Sequence, residues 1–468
     1  MPNPEQQISR RAFMSLSAGG MMIAALPAAT CLGEPKEEGR TSAARPNIVF
    51  IFADDLGWAD VGYHGSEIQT PNLDRLAQEG VRFRQHYVMA TCTPTRVGLM
   101  TGRYPSRYGV TAPAYGKLFD DDTVTLAEAL RQGGYATSIS GKWHMGSPPQ
   151  WTPRRYGFES SYGYFDGQVD PYVHDYKSGA PSWHRNDQYV DEKGHATDLI
   201  TAEAVRVIES KHDRPFFLYV TYSVPHHPLN EPPEWTSRYE GRIRELSRRW
   251  FAASVTHMDH GIGRIVEALD RQGLRRNTLI LFSSDNGGQK DWSSDKEYKG
   301  RYADKPHPVL GNNRPLRGWK GELYEGGIRV PALANWPGVL RAGEWETPVH
   351  IVDWMPTLCA LTRCSPGRDL AWDGVNIWPA LRGEAAPAGP RSFYWKTPSA
   401  FAVRRGAWKL IVNKGEREAQ LYDLASDPYE TKDLAHQQTE HVSELRALLK
   451  EYTAKDREPR GAKAEKSK

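Results

Sequence analysis

Cysteine is scarce, with four residues in a chain of 468. Apart from Cys31 and Cys92, discussed below, only Cys359 and Cys364 remain. These two either pair in an oxidising compartment or stay as two buried free thiols. An excess of either charge is also missing: 60 basic against 57 acidic residues leave a net charge of +3. Charge therefore makes no case for a nucleic acid or a membrane surface as partner. No stretch beyond the first thirty residues is long and apolar enough to span a bilayer, so the mature chain is expected to be soluble. Solenoid-type repeats are absent as well. Hydrophobic residues make up 39% of the chain, enough for a large core. Chains of this length often fold as a single large α/β unit.

The ends read as attachments. Arg10-Arg11 before an apolar, small-residue stretch reaching Ala29 has the form of a twin-arginine export signal over residues 1–30. The mature chain is then expected in the periplasm or outside the cell. Cys31 closes a stretch with a loose likeness to a lipoprotein cleavage box, which leaves a lipid anchor there as an alternative. Residues 31–45 are charged and rich in Gly and Pro, as in a linker. Residues 456–468 form a basic tail expected to be solvated and disordered.

Between the ends one rule recurs: an apolar strand, then polar residues where it stops. The run 47–53 is continuously apolar, as in a strand buried on both faces, and stops at Asp54-Asp55. Strand 135–140 leads to Lys142 and His144, strand 216–222 to His226-His227, and strand 278–282 to Asp285-Asn286. Helices are expected near 71–79, 123–132 and 243–272, and strands at 81–88 and 328–335. Residues 147–194 lose periodicity and are rich in aromatics, Gly and Pro, the pattern of a functional loop region. Strands alternating with helices predict a large, mostly parallel sheet sandwiched by helices over residues 46–385. Open sheets of this kind keep their sites at the carboxyl edge. Composition changes near 385–390, and residues 390–455 read as a smaller C-terminal α+β subdomain with an antiparallel sheet and a last helix from about 440.

Taken singly, each polar group has a bland reading: adjacent acids cap turns, and Lys142 and His144 could sit in a surface loop. Taken together, Asp54, Asp55, Asp285 and Asn286 offer only oxygen, which suits a hard dication and argues against zinc. Cys92-Thr-Pro-Thr-Arg96 places a thiol at the mouth of a helix whose first turn holds Pro94. Free N–H groups and the positive dipole end there favour an anion.

Cys92-x-Pro94-x-Arg96 followed by Thr101-Gly-Arg103 resembles the signature of the type I sulfatases. This chain has Thr95 where many members have serine. The resemblance covers most of residues 46–435 and implies an alkaline-phosphatase-like fold. It implies that Cys92 is oxidised to Cα-formylglycine by a maturation enzyme. The hydrated aldehyde would attack sulfur with one hydroxyl, and loss of the second proton would expel sulfate. It also implies one Ca2+ held by Asp54, Asp55, Asp285, Asn286 and the modified Cys92. Arg96 would hold the formylglycine, Lys142 bridge it to sulfate, His144 bond the nucleophile and Lys320 contact sulfate. The family's remaining histidine stands in an H-x-P setting, which selects His226 over His227. Gly163-Tyr-Phe-Asp-Gly with Asp170-Pro-Tyr172-Val-His174, and Asp285-Asn-Gly-Gly-Gln289 followed by Gly311-Asn-Asn-Arg-Pro-Leu-Arg-Gly-Trp, are similar to arylsulfatase B-type members, a lean toward sulfated sugars. Tyr172 and Trp183 then become candidates for stacking on sugar rings, against a packed-loop role. Phosphoester or phosphonate ester hydrolysis, and sulfoglycan binding by an unconverted Cys92, are the alternatives.

Overall fold

The computed structural model describes residues 45–385, 389–415 and 418–460. The expected export signal, the Cys31 anchor and nearly all of the linker lie outside these residues. In chain order the strands of the first part are β1 (Asn47–Ala53), β2 (Val81–Phe83), β3 (His86–Tyr87), β4 (Ala136–Lys142), β5 (Ser160–Tyr164) and β6 (Trp183–Arg185). They continue with β7 (Gln188–Tyr189), β8 (Phe216–Thr221), β9 (Thr278–Ser284), β10 (Ala332–Asn335), β11 (Gly343–Trp345) and β12 (Val349–His350). The last four are β13 (Ser392–Lys396), β14 (Ala400–Arg405), β15 (Trp408–Asn413) and β16 (Ala419–Asp423).

Every residue of β1, β8 and β9 is buried. Strands covered on both faces must be apolar throughout, which is why these three were legible as unbroken hydrophobic runs. They form the centre of a ten-stranded sheet in the order β11-β2-β10-β9-β1-β8-β4-β5-β6-β7. The block β9-β1-β8-β4-β5 is parallel, and β10, β6 and β7 join antiparallel at its flanks. Two apolar clusters, one on each face, pack the helices against it. On one face lies the helix Leu246–Arg271, contacting the helices Pro71–Gln78 and Ala196–Glu209. On the other lies Cys92–Thr101, all of whose residues are buried.

Several expected elements differ in detail. The strand expected over 81–88 is two strands: β2 joins the large sheet, while β3 pairs with β12. The strand expected from 328 begins only at Ala332, because Glu325–Ile328 closes a helical turn and Pro331 has no N–H to give a ladder. The loop region 147–194 supplies β5, β6 and β7, too short for a period of two to show. The run expected over 402–412 is the hairpin β14–β15, turned at Gly406, whose φ of 59° suits glycine.

Strands β13 to β16 form the antiparallel C-terminal sheet, and the helix Thr439–Thr453 follows. Residues from Arg45 onward belong to one compact unit. The described start of the expected tail, 456–460, is held against the segment 106–120. The Arg457 and Arg460 amides donate to the carbonyls of Ser106 and Gly109, both arginines pair with Asp120, and Asp456 accepts from Arg107 at 2.7 Å. Basic residues that find buried or partly buried acids lose the freedom their composition suggested. Residues 461–468 lie outside the described part.

Candidate active site

Parallel neighbours bring their ends to one edge, and here the register delivers the side chains. Ala53 of β1 pairs with Ser284 of β9, so Asp54-Asp55 and Asp285-Asn286 leave the sheet side by side. The Asp285 amide donates to the Ala53 carbonyl at 3.1 Å, and the Asp55 amide to Asp285 Oδ1 at 3.3 Å. Asp55 has φ 70°. This left-handed turn of the backbone lets two successive carboxylates reach one region, which an extended strand would forbid.

All four residues are at most 1% exposed. Arg96, from the buried helix, donates to Asp285 Oδ2 through Nε at 3.2 Å and Nη2 at 2.7 Å. Its Nη1 donates to the Lys142 carbonyl at 3.2 Å. Lys142 Nζ reaches Asp54 Oδ2 at 2.6 Å, and Lys320 Nζ reaches Asp55 Oδ2 at 2.7 Å. Asn286 Nδ2 donates to Asp55 Oδ1 at 2.8 Å. Asp54 Oδ1 and Asn286 Oδ1 are buried with no hydrogen-bond partner among the described residues. Asp54, Asp55 and Asp285 each offer an oxygen, all within 4.8 Å of one another. Burial first, then the Asp285 charge, pushes the Asp54 carboxyl up to about 8. A pocket of crowded carboxylates with orphaned oxygens fits a hard, oxygen-seeking cation.

Cys92 is the first residue of its helix and 2% exposed. Burial raises its thiol, while Lys142 and Lys320 oppose that rise. The Thr95 hydroxyl accepts from the Met89 amide at 2.9 Å. Any hydroxyl here pins the approach to Cys92, so threonine in place of serine keeps the contact. Both ring nitrogens of His144 are buried and without a partner among the described residues. Burial, then Lys142 and Arg96, hold His144 well below its usual range.

His226 lies with Nε2 3.8 Å from Asp55 Oδ2. Its Nδ1 is 2.5 Å from the His227 carbonyl, so Nδ1 carries the hydrogen and Nε2 faces the acids. His227 instead lies flat on Trp292, ring centres 4.7 Å apart. Burial, then Lys320, lowers His226 well below its usual range. Asp54, Asp55, Cys92, Arg96, Lys142, His226, Asp285, Asn286 and Lys320 are thus joined by direct contacts or mutual charge effects. His144 adjoins the same charges.

Of its two readings, Trp183 takes the packed-loop role. It is 1% exposed and packs on Tyr164 and His174, so no sugar can reach its face. Tyr172 is 40% exposed. Cys359 and Cys364 are buried and free. Other participants carry no site role that the sequence alone reveals. The Thr221 hydroxyl donates to the Lys142 carbonyl at 2.8 Å, and Gln289 accepts from Lys320 at 3.4 Å. Gly141 has φ 118°, and a Cβ there would stand 1.9 Å from the Thr221 carbonyl oxygen. Gly141→Ala is therefore expected to cost about 1–3 kcal/mol through its backbone alone. A fall in urea midpoint together with a fall in turnover would register both the strain and the shifted Lys142.

Behind the His226 segment stands a second polar group. His257 Nδ1 lies 2.7 Å from Glu231 Oε2, and Nε2 lies 3.1 Å from Asp198 Oδ1. Burial disfavours its charge, but hydrogen bonds and charge from Asp198 and Glu231 outweigh this and raise it to about 9. A raised histidine gives stability that is complete below its unfolded value near 6.5 and is lost as pH climbs through about 9. Between pH 6 and pH 10 about 2 kcal/mol should vanish by this route, discounted because Asp198 is half-exposed. Denaturation curves should show that difference shrinking in His257→Gln; an unchanged difference would assign it elsewhere.

A buried acid cluster with an arginine and two lysines aimed at it, beside a buried thiol at a helix start, is an arrangement suited to the hydrolysis of anionic esters. The comparisons narrow this: the sulfatase family matches residues 46–364, and the chain belongs to that family. It is a sulfuric ester hydrolase. The chain is 32% identical to mouse arylsulfatase J over 90% of its own length and 77% of that protein. It is 29% identical to N-acetylgalactosamine-6-O-sulfatase of Bacteroides thetaiotaomicron, covering 88% and 94%. Among solved structures, Ps i-CgsB, crystallised with k-i-k-neocarrahexaose, superposes with a TM-score of 0.79 at 30% identity. That match covers 89% of this chain and 94% of the other.

Proposed function

We propose that this chain releases inorganic sulfate from sulfated saccharides, with Cys92 matured to formylglycine and one Ca2+ held by Asp54, Asp55, Asp285, Asn286 and residue 92. The observation that carries the reading is the convergence of Lys142, Lys320 and Arg96 on the Asp54, Asp55 and Asp285 cluster, whose Asp54 oxygen, like that of Asn286, is orphaned, with the charges of Lys142, Lys320, Asp54 and Asp285 felt at Cys92. The saccharide preference is taken from relatives named for N-acetylgalactosamine sulfatases and from a structural neighbour holding a neocarrahexaose. Bound Ca2+ would add fixed positive charge where the sulfate oxygens lie. The hydrated aldehyde would bring a nucleophilic hydroxyl that a thiol cannot replace.

The remaining work falls to side chains. Lys142 and Lys320 now neutralise Asp54 and Asp55; beside a dication they would be free to turn toward the sulfate oxygens and hold its charge. Arg96, fixed by Asp285 and the Lys142 carbonyl, orients residue 92. His144, with both nitrogens free of partners, accepts or donates at the nucleophilic hydroxyl. His226, with Nδ1 donating to the His227 carbonyl, presents an unprotonated Nε2 beside Asp55. It first takes up a proton at Nε2, which the negative charge of a bound sulfate ester favours, and then passes it to the leaving oxygen. His226 is chosen over His227 because His227 is spent on Trp292.

Maturation would need a formylglycine-generating enzyme, and the Arg10-Arg11 segment would send the folded product through twin-arginine export. A panel of defined sulfated mono- and oligosaccharides, assayed for sulfate release by matured protein, tests the substrate reading. Turnover of aryl sulfate with none of any saccharide would end it. Intact-peptide mass checks maturation, formylglycine being about 18 Da lighter than cysteine; matured protein that prefers phosphate esters would end the sulfatase reading.

A further inference from the structure

The Lys320 loop is held less by the large sheet than by the C-terminal one. At its start Arg317 Nη1 donates to the Tyr422 hydroxyl at 3.1 Å and to the Glu430 carbonyl at 2.9 Å. At its end the Tyr324 hydroxyl donates to Gln420 Oε1 at 2.7 Å, and the Glu325 amide donates to Glu430 Oε2 at 2.7 Å. Arg317 lies 4.0 Å over the Tyr324 ring, closing the loop upon itself. Between these anchors, Lys320 and Gly321 make backbone bonds to Gly288 and Ala90, which put the ammonium on Asp55.

At the middle of the seam stands Lys409 of β15, with no exposed surface. Its Nζ lies 2.9 Å from Glu325 Oε1 and 2.8 Å from Glu430 Oε1. Glu325 Oε2 accepts from the Tyr87 hydroxyl at 2.6 Å, and Arg404 of β14 donates to that same hydroxyl. Tyr87 belongs to β3, the strand that feeds Cys92. One buried ammonium therefore ties the strand leading to the nucleophile, the loop bearing Lys320 and the C-terminal sheet. A buried charge that served only stability would be an odd choice, since an apolar replacement of similar volume is often no worse. A fixed polar hub does specify geometry.

We propose that Lys409 and Glu430, though far along the chain from the sheet edge, are positioning residues that set Lys320 against the sulfate. The inference rests on reading Lys320 as the sulfate contact. It gives the C-terminal subdomain a share in turnover and not only in folding.

The test is a double-mutant cycle on matured protein whose formylglycine content is checked by mass. Lys409→Met with Glu430→Gln removes the ammonium and one carboxylate together. Tyr422→Phe with Gln420→Ala loosens only the loop's outer anchors, in case the first pair fails to fold. In otherwise native protein each pair should lower kcat/KM by about tenfold, with a melting curve that still shows a single native transition. In a Lys320→Met background the same pairs should change kcat/KM less than about twofold, because the group they position is gone. Equal losses in both backgrounds, or no loss from either pair in folded protein, overturn the proposal. Full activity of Lys320→Met alone would instead refute the reading of Lys320, so the two failures are told apart.

Discussion

Replacing Cys92 by alanine is expected to remove sulfate release almost entirely, by on the order of 10^4-fold or more, as losses of a nucleophile generally do. Alanine deletes the sulfur whose departure lets Cβ be oxidised to the aldehyde, so no maturation can restore activity. The fold should tolerate the change. Cys92 is the first residue of a buried helix, where alanine is the best helix former, and no hydrogen bond of its thiol is recorded among the described residues. Lys142, Lys320 and Arg96 keep their carboxylate partners without it. Sulfate release by the variant at even a tenth of the wild-type rate, at equal purity, would remove residue 92 from the chemistry. A variant that binds sulfated saccharide as tightly as the wild type while turning none over would show that recognition survives apart from the nucleophile.

Asp285→Ala should be the most damaging change to stability. Asp285 accepts two hydrogen bonds from Arg96, and both side chains are wholly buried. Removing one partner of such a pair leaves a buried guanidinium without its hydrogen-bonded carboxylate, at a cost of about 3–5 kcal/mol. The same substitution takes an oxygen from the cation pocket and frees the residue that orients position 92. Chemical denaturation should show the lower midpoint, and activity should stay absent even at saturating Ca2+. Chelation of the wild-type protein supplies the contrast. If the pocket holds Ca2+, its removal should lower the melting temperature in a way that added Ca2+ reverses, whereas Ca2+ should leave Asp285→Ala unmoved. A wild-type melting curve indifferent to both chelator and Ca2+ would refute the cation site.

What could be read from the chain, and what could not, follows from where information is local. The central strands announced themselves because burial on both faces demands unbroken apolar runs, and the polar residues just past their ends marked the edge. The repeated pattern of strand then ligand could therefore foretell that Asp54, Lys142, His226 and Asp285 meet. Lys320 has no such strand before it, and only the family likeness singled it out. The edge strands β5 to β7 were illegible because two to five residues carry no period. Thr221 and Gln289 support the lysines through a hydroxyl and a side-chain amide oxygen, and Gly141 through its backbone, contacts that any loop could contain. Trp183 stayed open between sugar stacking and packing because an aromatic in a Gly- and Pro-rich stretch shows no period; its neighbours Tyr164 and His174 enclose it and decide for packing.

The enclosure of Cys92 sets a clock on the protein's birth. With the whole of Cys92–Thr101 buried, the thiol is out of reach of any other enzyme once the helix has docked beneath the sheet. If Cys92 is matured to formylglycine as proposed, its oxidation must come while the segment is still extended, on a newly made chain. A molecule that folds first is locked as a thiol for as long as it stays native, so the active fraction of a preparation records a race between collapse and modification.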